Sequence, residues 1–339
     1  MKILAIETSC DETSAAVVED GRRVCSDIIS SQIDIHRKFG GVVPEIASRH
    51  HVEDVLPVVD LALQEAGMTL AETDAVAVTQ GPGLVGALLV GVAAAKALSY
   101  AAGKPLLAVN HMEGHMYANL VAHPQLVPPF LTLVVSGGHT MLVDIPAYNE
   151  FRLLGETKDD AAGEAFDKIA RVMGYPYPGG PEIDRLAQQG NPQAIEFPQA
   201  LRHEHSYDFS FSGVKSAVIN YLHHQEQIGA GYSPEDVAAS FQAAVVDVLV
   251  DKTVRAAQAC GRETICLAGG VAANSALRAR LSAAAEPLGM RMLAPTARLC
   301  TDNAVMIGAR AYYQWQRGDT ADWSLNADPR LPFTGGRQG

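Results

Sequence analysis

Two histidines stand four residues apart in the stretch NHMEGHMYANL, residues 110–120. Residues i and i+4 share one face of a helix, so His111 and His115 could bind one metal ion. Glu113 lies two positions beyond His111, about 200° around a helix, and would point away from that ion. The zinc-protease pattern H-E-x-x-H instead places its glutamate beside the first histidine. The spacing predicts a metal site without a protease's base; the alternative is two core or surface histidines.

A two-histidine site needs a further ligand, and carboxylates usually complete such sites for iron, zinc or manganese. Asp302, in the run CTDNA, fits this role at the expected start of a helix. The ordinary alternative for an aspartate there is a helix N-cap. The remaining histidines lack ligand spacing and are interpreted as surface residues. They include His50, His51, His203, His205, His223 and His224.

Two turns carry residues that could serve a ligand. In SGGHT, residues 136–140, two glycines leave backbone N–H groups accessible to an anion such as phosphate, although an ordinary hairpin turn is an equal alternative. The corresponding turn near the N-terminus, Ser9–Glu12, carries the paired acids Asp11 and Glu12, which could also be solvated turn acids.

Two further glycine pairs precede predicted helices. The pair at 269–270 ends an apolar strand, and Asn274 follows within about one helical turn. This could bind a ligand or only permit close packing. The run GGPEID, residues 179–184, likewise has two glycines before a predicted helix, followed by an acid one turn in. That acid, Asp184, could bind ribose hydroxyls. Asp167, by itself, would count as a surface acid on an amphipathic helix.

Length and composition indicate a globular protein of about two domains. The chain has 339 residues, of which 48% are hydrophobic and 19% charged. A single hydrophobic core rarely accommodates a chain of this length. The net charge of −12 argues against a stand-alone, sequence-blind nucleic-acid-binding protein. A nucleic-acid substrate held by a local basic patch or a partner stays open.

The sequence also predicts a cytoplasmic, soluble protein. Its five cysteines show no CxxC pairing, which is typical of reduced thiols. The N-terminus reaches Glu7 after four apolar residues, so it is no signal peptide. The longest apolar run, residues 84–95, ends at Lys96, short of the roughly 20 residues of a membrane span.

The elements that must position these residues occur twice. Three strand-like runs, KILAIET, SAAVVED and VCSDIIS, are repeated about 130 residues later by FLTLVVS, TMLVDI and FRLLGET. Each triplet is followed by helices and by a strand, glycine turn and helix. A duplicated unit predicts two similar α/β domains. Ligands in such folds bind where strand ends and helix N-termini converge, so we expect the site in a cleft between the domains.

Approximate boundaries follow from this repeat. The predicted segments are a first domain over 1–117 completed by a C-terminal helix over 303–318, a second domain over 128–302 with a helical insertion near 190–235, and a tail over 319–339. Pro57 should kink or divide the helix predicted over 45–66. The last ten residues are expected to form a loose tail.

Eight motifs together resemble the TsaD family of tRNA-modifying enzymes, whose archaeal and eukaryotic relatives belong to the KEOPS complex. They are, in the family's order, IETSCDETSAAVV, GPGLVGALLVG, NHMEGH, VVSGGHT, GEAFDK, DFSFSGVK, LAGGVAANSALR and TDNA. The resemblance covers residues 3 to about 304. It implies the actin-like ATPase fold, shared with sugar kinases and Hsp70, which agrees with the duplicated unit.

The resemblance implies transfer of the threonylcarbamoyl group of threonylcarbamoyl-AMP to N6 of the adenosine 3′ of the anticodon, in tRNAs reading codons that begin with A. AMP is released. It implies that His111, His115 and Asp302 hold one iron or zinc ion, and that Asp11 and Glu12 lie at the reaction centre. Either acid could take the proton of the N6 amine. The implied substrate-binding residues are Val134, Val135, Ser136, Gly137, Gly138, Asp167, Gly180, Asp184 and, on the adenine side, Asn274.

The resemblance further implies tRNA, TsaB and TsaE as partners, a separate synthase for the adenylate, and a chain that could also bind Mg-ATP. The apolar helices of the first domain are a plausible contact for TsaB. Three alternatives stay open: a kinase or ATPase with the same fold, a metalloprotease, and a non-catalytic scaffold. A histidine pair argues against the first, since magnesium prefers oxygen ligands. The position of Glu113 argues against the second, and retention of all these residues against the third.

Overall fold

The chain folds into two compact units with one topology. The computed structural model describes residues 1–333 and 335. The first unit comprises Met1–Val127 and the segment that begins at Pro295, and the second comprises Pro128–Ala294. Each unit contains a five-stranded mixed sheet in the described part of the chain. The predicted duplication of an α/β unit is confirmed.

In the first unit the strand order is β3-β2-β1-β4-β5. Strands β1, β2 and β3 are antiparallel neighbours, whereas β4 and β5 run parallel to β1. The strands are β1 Lys2–Glu7, β2 Glu12–Glu19, β3 Arg23–Ser31, β4 Ala75–Gly81 and β5 Leu106–Asn110.

The second unit repeats this arrangement in the order β10-β9-β6-β7-β8. Here β6, β7 and β8 are antiparallel neighbours, and β9 and β10 run parallel to β6. The strands are β6 Phe130–Val135, β7 Thr140–Ile145, β8 Arg152–Glu156, β9 Thr264–Ala268 and β10 Arg291–Leu293.

Helices cover the faces of both sheets. They are, in chain order, α1 Ile33–His36, α2 Pro44–Glu65, α3 Val85–Ala102, α4 His111–Ala122, α5 Ala162–Val172, α6 Gly179–Ala187, α7 Ser212–Ile228, α8 Pro234–Cys260, α9 Ser275–Ala285, α10 Ala297–Cys300 and α11 Ala304–Gln316. The helix predicted over 45–66 corresponds to α2. It runs continuously through Pro57, which lies on the exposed face, so the predicted division is wrong.

The central strand of the first unit is buried on both faces. Because successive side chains of a strand point to opposite sides, Ile3 packs in a cluster with α4 and α11, and Leu4 packs in a cluster with α2 and α3. Gly308 allows α11 to lie close to the sheet, since a Cβ there would meet Val18 Cγ2 at 2.7 Å. This packing holds α4, which carries two candidate metal ligands, and α11, which follows the third, against one sheet face.

The chain returns to the first unit earlier than the sequence-based boundary at 302. Residues 295–302 belong to the first unit, because Arg298 donates to the carbonyl of Asp27 at 2.6 Å. The next helix is tied to β2 by Ala304 N, which donates to Ser14 Oγ at 2.9 Å. Asp302 therefore lies in the same unit as the two histidines.

The segment after α11 also packs on the first unit. Ala321 N donates to Leu106 O at 2.8 Å, and Asp328 N donates to Gln80 O at 2.9 Å. Within the predicted loose tail, Pro332 O accepts from Asn110 Nδ2 at 3.2 Å. Residues 334 and 336–339 of that tail lie outside the described residues.

One helix among the described residues, α3, is long and apolar enough to cross a membrane by length and composition. It has 18 residues, of which 33% are buried. Core helices of water-soluble proteins pass the same test, and α3 packs Ala87, Leu88 and Val92 inside the first unit. The finding is weak support for a span.

Candidate functional site

The candidate metal ligands lie at the starts of two helices. Asn110 ends β5 and caps α4, where its Oδ1 accepts from Met112 N at 2.9 Å. His111 and His115 therefore occupy the first two turns of α4. Asn303, which accepts from Met306 N at 3.0 Å, is the N-cap of α11. Asp302 precedes this cap, so the N-cap alternative for Asp302 is wrong.

The three side chains converge on one point. Oδ1 of Asp302 lies 3.4 Å from His111 Nε2 and 3.2 Å from His115 Nε2. One ligand atom from each residue lies within 4.8 Å of the others. The side chain of His115 is buried, and neither ring nitrogen makes a well-aligned hydrogen bond among the described residues, although Nε2 lies close to Asp302 Oδ1. Two imidazoles and a carboxylate with an unsatisfied buried nitrogen fit a divalent metal ion.

Glu7 sets the orientation of His111. Its Oε2 lies 3.0 Å from His111 Nδ1 and accepts from Thr79 Oγ1 at 2.6 Å. Glu7 is fully buried at the end of β1. A carboxylate on one imidazole nitrogen fixes the proton there and directs the other nitrogen to a metal, an arrangement common around bound metals. His111 Nε2 is accordingly the nitrogen that faces Asp302.

The electrostatics of the cluster favour a positive charge. Burial lowers the pKa of His111, but the carboxylates of Asp302 and Glu7 outweigh burial and raise that pKa well above its usual value. Burial raises the pKa of Asp302, yet the two imidazoles hold it below its usual range. Without a metal, a proton on His111 supplies the charge that the two acids attract. Protons and a metal ion would therefore compete for this point.

Glu113 points away from the cluster, as its spacing predicts. Its Oε2 accepts from Arg310 Nε at 2.7 Å, and both side chains are buried. Arg310 also lies over the ring of Tyr117, 5.1 Å from the centroid. The pair joins α4 to α11 and so helps to hold the histidines and Asp302 in register. Glu113 has a structural role here, which removes the base that a protease would need.

The acid turn, Ser9–Glu12, lies beside the cluster. Ser9 Oγ is 3.1 Å from His111 Nδ1. Asp11 and Glu12 are buried, so they are not solvated turn acids. Burial and then the neighbouring Asp11 raise the pKa of Glu12 well above its usual value. A carboxyl group with a raised pKa is suited to proton transfer near neutral pH.

The interpretation of His51 as a surface residue is wrong. It is fully buried, on the face of α2 that also carries Ala47 and Val55. Its ring lies under the acid turn, with Nε2 2.9 Å from Cys10 O and Nδ1 2.7 Å from Thr13 Oγ1. The spacing of apolar residues four apart on either side is the signal that could have placed it in the core.

In the second unit the equivalent turn, Ser136–His139, is open. Ser136 N donates to His139 O at 2.8 Å, and His139 N donates to Ser136 Oγ at 3.1 Å. Gly137 and Gly138 are exposed, and a Cβ on either would meet nothing within 4 Å among the described residues. The turn, called the glycine turn below, leaves room for a ligand against its backbone. Val134 and Val135, in contrast, are buried within β6.

The other substrate-binding residues predicted in the second unit are joined to helix starts by hydrogen bonds. Asp167 Oδ1 accepts from the backbone N–H groups of Gly179 and Gly180, at 2.7 and 3.3 Å. Asp184 Oδ1 accepts from Ser275 Oγ at 2.8 Å, next to Asn274. Asp167 is thus tied to the start of α6 and is not an ordinary surface acid.

Asn274 caps α9 and does not lie within its first turn, because a short 3-10 turn intervenes after the glycine pair. Its Nδ2 donates to Gln242 Oε1 at 2.7 Å. A cavity of about 410 Å³ opens beside this contact. Its lining includes Gln188, Gln242, Asp247, Ser275 and Arg280. The size and mixed polarity of the cavity fit a small polar ligand.

Comparison with known proteins decides the family. The sequence model described as "TsaD: tRNA N6-adenosine threonylcarbamoyltransferase" matches residues 23–309. The chain belongs to the TsaD family. A relative of that name from Moorella thermoacetica is 62% identical over 331 residues, covering 98% of this chain and 97% of the relative. Another from Clostridium perfringens is 57% identical over 329 residues, covering 97% of both chains.

Solved structures support the actin-like fold expected of the TsaD family. HypF from T. kodakarensis matches 94% of this chain and 48% of its own, with a TM-score of 0.63 and 15% identity. Component A of the (R)-2-hydroxyglutaryl-CoA dehydratase of Acidaminococcus fermentans matches 93% of this chain and 98% of its own, with a TM-score of 0.55 and 15% identity. At such identity the likeness concerns the fold alone, and the fold class predicted from the sequence is confirmed.

The predicted site residues thus fall into two groups. The structure brings His111, His115 and Asp302 together and places the acid turn beside them, all in the first unit. The glycine turn and the residues tied to α6 and α9 lie in the second unit. The sequence alone missed Glu7, which orients His111, and His51, which contacts the acid turn.

Proposed function

We propose that this chain transfers the threonylcarbamoyl group of threonylcarbamoyl-AMP to N6 of the adenosine 3′ of the anticodon, in tRNAs reading codons that begin with A. The chain belongs to a family of tRNA N6-adenosine threonylcarbamoyltransferases. It is accordingly an acyltransferase that modifies tRNA. The observation that carries the detailed proposal is the convergence of His111, His115 and Asp302 beside a buried pair of acids.

We infer that the three ligands hold one Fe²⁺ or Zn²⁺ ion per chain. When bound, such an ion supplies Lewis acidity toward a carbonyl or phosphate oxygen. His111 and His115 present Nε2 toward Asp302 Oδ1. Glu7 keeps the His111 ring in that orientation from its other nitrogen. Glu113 is committed to Arg310 and does not reach the ligand cluster.

Asp11 or Glu12 is the proposed general base. Attack of N6 on the carbamoyl carbon forms a C–N bond and breaks the bond from that carbon to the phosphate oxygen, so AMP leaves with the bonding electron pair. The N6 amine must lose a proton, since it is a weak nucleophile while it carries both hydrogens. A buried carboxylate in the acid turn can take that proton. The raised pKa of Glu12, caused first by burial, makes its carboxylate a stronger base than that of an ordinary glutamate.

The second unit would bind the AMP part of the donor. Next to Ser136, the exposed backbone of Gly137 and Gly138 offers N–H groups to a phosphate, and these groups can stabilise the charge that AMP gains as it leaves. Asp167 with Gly180, Asp184 and Asn274 would contact the nucleoside, beside the cavity that Gln242 lines. The same features could also accept Mg-ATP.

Two alternatives carry less support. An actin-like kinase or ATPase would require oxygen ligands for magnesium, whereas the cluster contains two imidazoles. A zinc protease of the H-E-x-x-H type would use a glutamate of the histidine-bearing helix as its base, whereas Glu113 is paired with Arg310. Neither alternative accounts for the family match.

The proposed partners are tRNA, TsaB and TsaE, in the cytoplasm. A protein of net charge −12 binds tRNA only through local basic groups or with partners. We place the TsaB contact on α2 and α3, which expose several apolar side chains that a partner could cover. These are Val52 and Leu56 on α2, and Val85 and Leu89 on α3. Val52→Asp should therefore abolish co-elution with TsaB while leaving the metal content unchanged.

Reconstitution tests the activity. The purified chain is incubated with TsaB, TsaE, threonylcarbamoyl-AMP and unmodified tRNA, and the modified nucleoside is measured by mass spectrometry after tRNA digestion. We expect one modified adenosine per tRNA with the wild-type chain, and none with His111→Ala. Absence of product from wild-type chain of full metal content, or equal product from His111→Ala, would refute the proposal.

A further inference from the structure

His51 makes two hydrogen bonds to the segment that carries the paired acids. Its Nε2 lies 2.9 Å from the carbonyl oxygen of Cys10, and its Nδ1 lies 2.7 Å from Thr13 Oγ1. Cys10 immediately precedes Asp11, and Thr13 immediately follows Glu12. One imidazole therefore contacts the chain on both sides of the acid pair.

The carbonyl of Cys10 fixes which ring nitrogen of neutral His51 carries the proton. A carbonyl oxygen only accepts, so Nε2 must carry a proton and donate to Cys10. Nδ1 then has its lone pair free to accept from the hydroxyl of Thr13. Burial lowers the pKa of His51, which maintains this neutral form near pH 7. Protonation would turn Nδ1 into a donor, so that Thr13 Oγ1 would have to accept from it and the hydroxyl proton would lose this acceptor.

Backbone groups also hold the acid turn. Gln32 N donates to Asp11 O at 3.0 Å, and Leu84 N donates to Ser9 O at 2.8 Å. These bonds orient the peptide plane at Asp11 and the start of the turn. His51 adds fixed points at Cys10 and Thr13, from a helix anchored in the core through Val55 and Val58. The ring thereby connects a rigid element to a catalytic loop.

We propose that His51 is a positioning residue for threonylcarbamoyl transfer: by holding Cys10 and Thr13, it sets where the carboxylates of Asp11 and Glu12 lie. The inference rests on the proposed general-base role of that pair. His51 need not touch the tRNA, the donor or a metal ion. A displacement of about 1 Å at a reacting group can cost on the order of 100-fold in rate. The effect should therefore appear in the catalytic step.

Two substitutions test this role. His51→Leu removes both hydrogen bonds, and we expect kcat to fall about 10- to 100-fold while KM for donor and tRNA changes less than about 3-fold. His51→Gln keeps an amide N–H where Nε2–H lies in the wild type. It should restore the hydrogen bond to Cys10, and its kcat should be about tenfold higher than that of His51→Leu. A role in packing alone would not be rescued by glutamine, which is more polar than leucine.

His50→Leu is the matched control, because His50 precedes His51 on α2 but is only half-buried. It should keep wild-type kcat. Thermal stability and metal content are measured for each variant, and those of His51→Gln should remain close to the wild type. In the wild-type chain labelled with ¹⁵N-histidine, the NMR spectrum should show His51 with its proton on Nε2. Wild-type kcat in His51→Leu, or a proton on Nδ1 of His51, would overturn the proposal.

Asp11→Asn and Glu12→Gln are assayed alongside, so that the two proposals can fail separately. If either acid variant loses activity and His51→Leu does not, the positioning role is wrong while the proposed function stands. If both acid variants keep full activity, the general-base role fails. A loss of kcat in His51→Leu would then also contradict positioning of these carboxylates.

Discussion

The acid turn and the glycine turn occupy the same place in two copies of one fold. Each connects the first two antiparallel strands of a five-stranded sheet, and each begins with a serine. The acid turn is buried and is held from outside by His51, Gln32 and Leu84. The glycine turn is exposed at Gly137 and Gly138. Its Ser136 is bonded to His139 within the turn and accepts from Gly163 N at 3.2 Å.

This difference shows how a duplicated unit can acquire two chemistries. Charged groups that must take a proton at a defined place need a rigid, partly dehydrated surrounding, because burial raises their pKa. A backbone that must receive a phosphate needs open space and side chains too small to block it. The same hairpin can provide either environment, depending on its turn residues and on the residues that contact the turn. Substitutions in the acid turn should therefore lower kcat, whereas substitutions in the glycine turn should weaken donor binding.

The largest effect is expected in the acid turn. Asp11→Asn and Glu12→Gln each remove a candidate base with little change in volume, and the variant that removes the base should lower kcat by about 100-fold or more. Steady-state kinetics with modified-nucleoside detection measures this. Cys10→Ser, in the same turn, should stay within about 3-fold of the wild-type kcat, since positioning and not a thiol is required. Near-wild-type kcat in both acid variants would remove the acid turn from the mechanism.

An intermediate effect is expected in the glycine turn. Gly138→Val adds a side chain whose Cβ would meet no protein atom within 4 Å among the described residues. The fold should tolerate it, but the proposed phosphate position should become blocked, raising KM for the donor about 10-fold or more. Isothermal titration with AMP and thermal unfolding separate the two effects. Unchanged AMP affinity would show that the phosphate does not lie against this backbone.

Gly163 provides the contrasting glycine. A Cβ at Gly163 would lie 2.5 Å from Ser136 O, so this residue lets α5 pack against the glycine turn. Gly163→Ala should destabilise the fold by about 1–3 kcal/mol, as overpacking does. Urea denaturation measures the change. A stable Gly163→Ala combined with an unstable Gly138→Val would reverse the assignment of the two glycines.

The smallest effect concerns pH. If Glu12 is the base, activity should rise as pH passes through its pKa, which burial and Asp11 raise above the usual range. Ser31 Oγ donates to Glu12 Oε1 at 3.2 Å, and this bond favours the ionised form. Ser31→Ala should therefore move the acidic limb of kcat/KM slightly to higher pH. A shift to lower pH, or none at all, would argue for Asp11.

Much of the fold could be predicted from the sequence because its signals are local. The strand triplets and glycine turns occur twice, and the structure has the strands within one or two residues of the predicted ends, as for β1 and β7. The division predicted at Pro57 is wrong because a proline costs one backbone hydrogen bond, which the packed face of α2 compensates.

The ligand cluster was predictable only in part. His111 and His115 show helical spacing, whereas the approach of Asp302 depends on the return of the chain to the first unit near Pro295. Glu7 and His51 carry no motif spacing toward their partners. Glu7 is 104 residues from His111, and Cys10 is 41 residues from His51. Only the folded sheet brings such pairs together.

Metal removal and return tests the central claim most directly. The purified chain is stripped with a chelator, and increasing Fe²⁺ or Zn²⁺ is added before the reconstituted assay, with bound metal measured by mass spectrometry. We predict that the stripped chain makes no modified adenosine and that activity returns in proportion to bound metal, saturating at one ion per chain. The His115→Ala chain should bind the metal ion at least about tenfold more weakly than the wild-type chain. Full activity without metal, or unchanged binding by His115→Ala, would contradict the account.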